Sequence, residues 1–150
     1  MRIRPSISAL LLVLATACAS PSHQLVPMPA ADSEVGPEIS RVYVVREKLF
    51  VGWLKDVRLF DGELEIGALR AGRYLCWDRP AERGVGVARF QGYELDGQEV
   101  ESVFDLPRTG GTTTWLSIRL RQGDRKPIVE TVPAAEGQAL VAEREPAPIP

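Results

Sequence analysis

Residues 112–121 alternate without a break. Thr112, Thr114, Leu116, Ile118 and Leu120 fall on one side, and Thr113, Trp115, Ser117, Arg119 and Arg121 on the other. Successive side chains of an extended chain point to opposite faces, so a period of two over this length specifies a strand with one buried face. It also sets a register, because a slip of one residue would turn Leu116 and Ile118 out to water. A chain carrying such a segment has to bury that face against further strands.

The preceding residues supply candidates. Arg41-Val42-Tyr43-Val44-Val45 reads as a first strand. Lys55 to Phe60 alternates, with Val57 and Leu59 on one face and Arg58 on the other. Asp61-Gly62 is a hairpin signal, since a tight primed turn needs positive φ at its centre. Leu64, Ile66 and Ala68 then alternate with Glu63, Glu65 and Gly67. Ala71-Gly72 turns the chain into Arg73–Trp77, and Val85, Val87 and Arg89 alternate with Gly86, Ala88 and Phe90. Asp96-Gly97 leads toward Val100, Val103 and Phe104, and Gly123-Asp124 leads into Ile128–Val132. Short strands at this spacing, with turns between them, indicate an all-β fold, an antiparallel β-sandwich or barrel. A short helix is conceivable over Ala134–Arg144, against the cost of Gly137 inside it.

The chain divides into four stretches. Arg2 and Arg4 open a basic start, the apolar run from Ile7 to about Ala15 follows, and small residues lead to Cys18. This order describes an export signal over residues 1–17. The apolar run is too short for a bilayer core, which needs about 20 residues in a helix. Residues 18–39 hold Cys18 and then Pro21, Pro27, Pro29 and Pro37 among Ser, Ala and Gly, without an apolar period. They read as a disordered tether, whose roughly 20 residues would reach about 60 Å fully extended. Residues 40–133 form the sandwich, and residues 134–150 form a tail ending in frayed, proline-rich sequence.

Charge and chemistry narrow the function. The chain has 18 Lys and Arg against 20 Asp and Glu, a net charge of −2, and the leader takes Arg2 and Arg4 with it. A mildly acidic chain lacks the basic face of a nucleic-acid binder, so no nucleic-acid partner is expected. His23 is the one histidine and falls in the tether, which excludes Ser/His and Cys/His hydrolysis in the folded region and leaves no zinc set. No metal or other cofactor is expected. Once Cys18 is modified, Cys76 has no partner for an intramolecular disulfide, and it reads as a buried thiol between Leu75 and Trp77. Gly110-Gly111 precedes a strand and so reads as a turn rather than a phosphate cradle. The carboxylates Asp56, Asp61, Glu63, Glu65 and Asp78 leave one enzymatic alternative, an acid/base pair flanking a cleft. The favoured interaction site is the solvent face of the long strand, where Trp115 stands near Arg119 and Arg121. Aromatic and Arg side chains concentrate binding energy, and the partner expected there is an envelope protein or a glycan. Trp53 and Trp77 are assigned to the core.

Two resemblances add to this reading. Leu14-Ala15-Thr16-Ala17-Cys18 resembles the lipobox of bacterial lipoproteins, although that family more often has Leu where Ala15 stands. The resemblance implies cleavage before Cys18, diacylglycerol on its sulfur and acylation of its amine by a fatty acid such as palmitate. Ala19, rather than Asp, after the cysteine implies the outer membrane, with the domain on its periplasmic face. The second resemblance covers roughly residues 41–80. Arg41-Val-Tyr-Val-Val-Arg46, Val57-Arg-Leu-Phe-Asp-Gly62, Ile66-Gly-Ala-Leu69 and Gly72-Arg-Tyr-Leu75 are similar to a family of uncharacterised bacterial lipoproteins opening on a Val-Tyr-x-x-Arg strand. This chain has Arg79-Pro80-Ala81-Glu82 in place of that family's Pro-Pro-Gly turn, and no histidine follows. The resemblance implies an immunoglobulin-like or transthyretin-like sandwich on a lipid anchor and assigns it no reaction. The function expected is that of an envelope lipoprotein that binds or scaffolds, rather than an enzyme. The alternatives are a carboxylate-dependent envelope enzyme and a passive structural lipoprotein.

Overall fold

The computed structural model of the chain describes residues 22–48, 56–95, 98–119 and 126–150. They form ten strands and one helix: β1 (His23–Gln24), β2 (Ile39–Arg46), β3 (Val57–Asp61), β4 (Leu64–Leu69), β5 (Arg73–Pro80), β6 (Gly84–Leu95), β7 (Gln98–Leu106), β8 (Thr112–Arg119), β9 (Ile128–Val132), α1 (Ala134–Ala142) and β10 (Glu145–Pro146). The strands make two five-stranded sheets, ordered β1-β4-β3-β6-β7 and β10-β5-β2-β8-β9. The all-β sandwich expected from the alternating pattern is present.

The core lies between the sheets. Val42, Val44, Leu75, Trp77, Leu116 and Ile118 from the second sheet meet Val57, Leu59, Ile66, Ala88, Phe90, Val100 and Leu106 from the first. Leu116 is 2% exposed and Ile118 1%, so the register read from the long strand is the one adopted. Each such aliphatic side chain contributes about 1.5–3 kcal/mol by leaving water.

Three expectations need correction. The sheets are not wholly antiparallel: β2 and β8 run parallel, from Ser40 opposite Thr112 to Arg46 opposite Ile118, and β10 runs parallel to β5. The strands β2 and β8 are far apart in sequence, and a long connection can deliver either direction. Secondly, the segment expected to be a tether is bound to the domain from Ser22 onward. His23 pairs with Ala68 and Gln24 with Gly67, and the Ser22 hydroxyl donates to the Ala68 carbonyl at 2.9 Å. Gln24 is fully buried, and its carboxamide bonds both backbone groups of Cys76, accepting from its N–H at 3.1 Å and donating to its carbonyl at 2.6 Å. That side chain acts as one residue of an added strand on the edge of β5. A composition rich in proline and serine reads as disorder, but it lacks only an apolar period, and an edge-covering segment needs none.

Thirdly, the C-terminal tail is docked. Ala147 is buried, its N–H bonds the Tyr74 carbonyl at 2.9 Å, and the Pro148 carbonyl accepts from Gln24 N–H at 2.9 Å. The two ends of the described chain thus meet and cover one open side of the sandwich together. Gly67 permits this, because a side chain there would strike the His23 carbonyl. The expected helix is present as α1, which packs on β8 and β2. Among the described residues no helix is long and apolar enough to cross a membrane.

Candidate functional site

The expected interaction face is the outer surface of the second sheet. Cross-strand pairing sets Trp115 beside Tyr43, Tyr43 beside Cys76, and Trp115 beside Val132. The Tyr43 and Trp115 rings stack, with centroids 4.2 Å apart and planes 15° from parallel, and Tyr74 adds a tilted ring 6.1 Å from Tyr43. This aromatic row does not stand open. Helix α1 lies over it, and Gly137 has no room for a side chain because a Cβ there would overlap the Cβ and Cγ of Trp115. Trp115 is half-buried as a result. Arg119 is paired with Glu130 on β9. Arg121 and the lipidation candidate Cys18 lie outside the described residues, as does Trp53. The structure therefore joins Trp115 to a covering helix and Arg119 to a neighbouring strand.

Beneath the helix the chemistry is that of a closed layer. Burial pushes the Cys76 thiol up to about 12, partly offset by its hydrogen bond with Tyr43. Burial likewise raises the Tyr43 phenol. A neutral thiol in such a place is a poor nucleophile, in keeping with the packing role read from its neighbours.

The carboxylates are held by arginines. Arg41 is 4% exposed and clamps Asp78 through two bonds, Nε to Oδ1 at 2.7 Å and Nη2 to Oδ2 at 2.9 Å. The same guanidinium reaches the Ser33 carbonyl at 2.9 Å and so pins residues 30–33 to the sheet. Arg70 Nε bonds Asp56 at 2.9 Å, Arg58 Nε bonds Glu65 at 2.8 Å, and Arg79 Nε bonds Asp61 at 2.9 Å. The Arg58 hydrogen bond holds Glu65 below the usual carboxylate range, with His23 and Arg89 acting in the same direction. Among the described residues no group of three or more His, Cys, Asp and Glu is placed to hold a metal ion.

A cavity of about 310 Å³ opens where β3, β4 and β5 meet the N-terminal segment. Val26, Pro27, Met28 and Pro29 line it from the N-terminal segment, and Leu64, Trp77 and Pro80 line it from β4 and β5. Asp61, Asp78 and Arg79 supply polar groups. The Trp77 indole N–H donates to Asp61 Oδ2 at 3.1 Å, and Arg79 donates to the same oxygen. Arg79 also holds the Glu82 and Pro107 carbonyls at 2.9 and 2.8 Å, so its direction is fixed. A bulge between Leu59 and Phe60 shifts the pairing of β3 with β4. It brings Leu64 opposite Asp61 and leaves it 58% exposed at this rim, the kind of local re-aiming for which bulges are used.

None of these cavity residues follows from periodicity as a site. Asp61 reads as a turn residue, Trp77 as core and Val26–Pro29 as tether. The available signal was charge beside apolar strand residues: Asp78 and Arg79 directly follow Trp77, and Arg41 directly precedes the run Val42–Val45 of β2. Comparison with protein-family models, with curated proteins and with solved structures returned no match.

Proposed function

We propose that this chain is an exported lipoprotein, acylated on Cys18 and held at the periplasmic face of the outer membrane, where its sandwich serves as a binding or scaffolding module. The observation that carries the reading is the order of basic start, short apolar run, small residues and Cys18. The likeness of residues 41–80 to lipoproteins with a Val-Tyr-x-x-Arg strand supports the same address. Of the two sandwich types, the transthyretin-like one is favoured. Lettering the strands β2 to β9 as A to H gives sheets D-A-G-H and C-B-E-F, whereas the immunoglobulin order places A beside B.

The binding surface proposed is the cavity walled by Val26–Pro29 and Trp77 rather than the covered Trp115 face. An apolar wall with a few fixed polar groups is the usual make-up of a recognition pocket, and it suits an envelope protein segment or a glycan. The carboxylate-enzyme alternative is less favoured, because Asp56, Asp61, Glu65 and Asp78 are each engaged by a guanidinium. Mass spectrometry of the mature N-terminus tests the anchor: an acylated Cys18 and no residues 1–17 are expected, and an unmodified chain starting elsewhere refutes it. A photo-crosslinking residue at Leu64, compared with one at the equally apolar and exposed Val103, tests the cavity in intact envelopes. Adducts at Leu64 alone are expected, and their absence favours the passive structural alternative.

A further inference from the structure

We infer that the bilayer itself is an interaction surface for one particular end of the sandwich, the end formed by the β4–β5 turn and Lys48. The inference rests on acylation of Cys18 and adds to it an orientation. The first described residue is Ser22, whose hydroxyl accepts from Arg70 N–H at 3.3 Å and donates to the Ala68 carbonyl, fixing it to the domain. Only Ala19, Ser20 and Pro21 separate that fixed point from Cys18. At no more than about 3.6 Å per residue, this link spans roughly 11–14 Å, in place of the 60 Å of a free tether.

Ser22 lies beside the end of β4, where β4 hands over to β5. There Gly72 N–H bonds the Arg46 carbonyl at 3.0 Å, and the Lys48 side chain packs beside Gly72. The same end carries the exposed Lys48, with Arg70 and Arg73 partly exposed and paired with Asp56 and Glu145. Long cationic side chains keep their charge at a headgroup surface while their stems lie flat. From Ser22 the segment runs along the open side of the sandwich toward the cavity, the Asp61 turn and Pro80, at the opposite end. The eight residues of β2 span about 26 Å at the usual strand rise. The link is therefore shorter than the domain, and the cavity is held away from the bilayer, facing the periplasm.

The test uses the full, acylated protein in vesicles whose lipid headgroups carry a nitroxide quencher. A fluorophore is placed on Ala71→Cys, in the β4–β5 turn, or on Glu63→Cys, in the β3–β4 turn at the opposite end. The buried Cys76 does not compete for label, and Cys18 is blocked by its acyl groups. Quenching severalfold stronger at position 71 than at 63 is expected, and inserting about ten Gly and Ser residues between Pro21 and Ser22 should abolish the difference by giving the domain a flexible leash. Equal quenching at both positions without the insert overturns the orientation. Intact mass of the same sample separates the two failures: equal quenching on an acylated chain refutes the orientation alone, and a chain without acyl groups refutes the anchor and the orientation with it.

Discussion

A side chain at position 137 has nowhere to go. The Trp115 ring fills the space that a Cβ would need, so Gly137→Ala should move α1 off the aromatic row even though alanine is the better helix former. Overpacking of this kind costs about 1–3 kcal/mol, and a fall in the urea midpoint together with a rise in Trp115 fluorescence quenching by acrylamide would show it. A gain in stability would refute the contact. Cys76 makes a second residue-scale prediction. Its folded thiol titrates near 12 against an ordinary value of 9.0, so between these values the unfolded chain has lost a proton that the folded chain retains. Stability is then complete below about pH 9 and falls as pH rises toward 12, by at most about 1.4 kcal/mol per pH unit from this group. Chemical denaturation at pH 8 and pH 11 should show a larger loss for the natural chain than for Cys76→Ala. An equal loss in both would assign the effect elsewhere, the buried Tyr43 phenol being the neighbouring group shifted in the same direction.

At the scale of elements, strands β8 and β5 make opposite demands. In β8 the inward face is apolar, and Leu116→Ala or Ile118→Ala should each cost about 2–5 kcal/mol through lost burial and the cavity left behind. Thermal or urea unfolding measures this, and a cost below 1 kcal/mol at both sites would place the core elsewhere. Strand β5 presents its far edge to Gln24 and β10, so Gln24→Ala leaves the Cys76 N–H and carbonyl without their partner and should cost about 1–3 kcal/mol. This contrast explains what was legible. Alternation of apolar side chains reports which face meets the core, and it placed β3, β4 and β8 close to their observed limits. Edge closure by Gln24, Ala147 and Pro148 runs through backbone groups and one carboxamide, which leave no period in the sequence. The covering of Trp115 was hidden for a related reason: Gly137 counts against a helix by propensity, and only the stacked Tyr43–Trp115 pair beneath explains why a glycine stands there. The candidate site was less legible than the fold, since its parts lie in a turn, a core position and a stretch without any pattern.

At the scale of the whole molecule, the described N-terminal segment from Ser22 and the tail to Pro148 belong to one folded unit, because they bond each other and both bond β5. A chain beginning at Ser40 loses the wall of the cavity formed by Val26–Pro29, the carboxamide cap on Cys76 and the backbone partners of Arg41 in residues 30–33. It keeps both sheets except for β1 and Ile39 of β2, so it should remain all-β by circular dichroism while melting at a lower temperature. Losing even 2–3 kcal/mol would lower Tm by roughly 8–20 °C for a domain of about 100 residues. A chain beginning at Ser22 should melt in one transition at the temperature of the full mature protein. Limited proteolysis gives the independent check: in the acylated protein, no cleavage is expected between Ser22 and Glu38, whereas a free tether would be cut throughout that stretch. Equal melting temperatures for the Ser22 and Ser40 chains, with cutting inside residues 22–38, would detach the N-terminal segment from the fold. The short link to the bilayer, and the cavity it helps to wall, would fall with it.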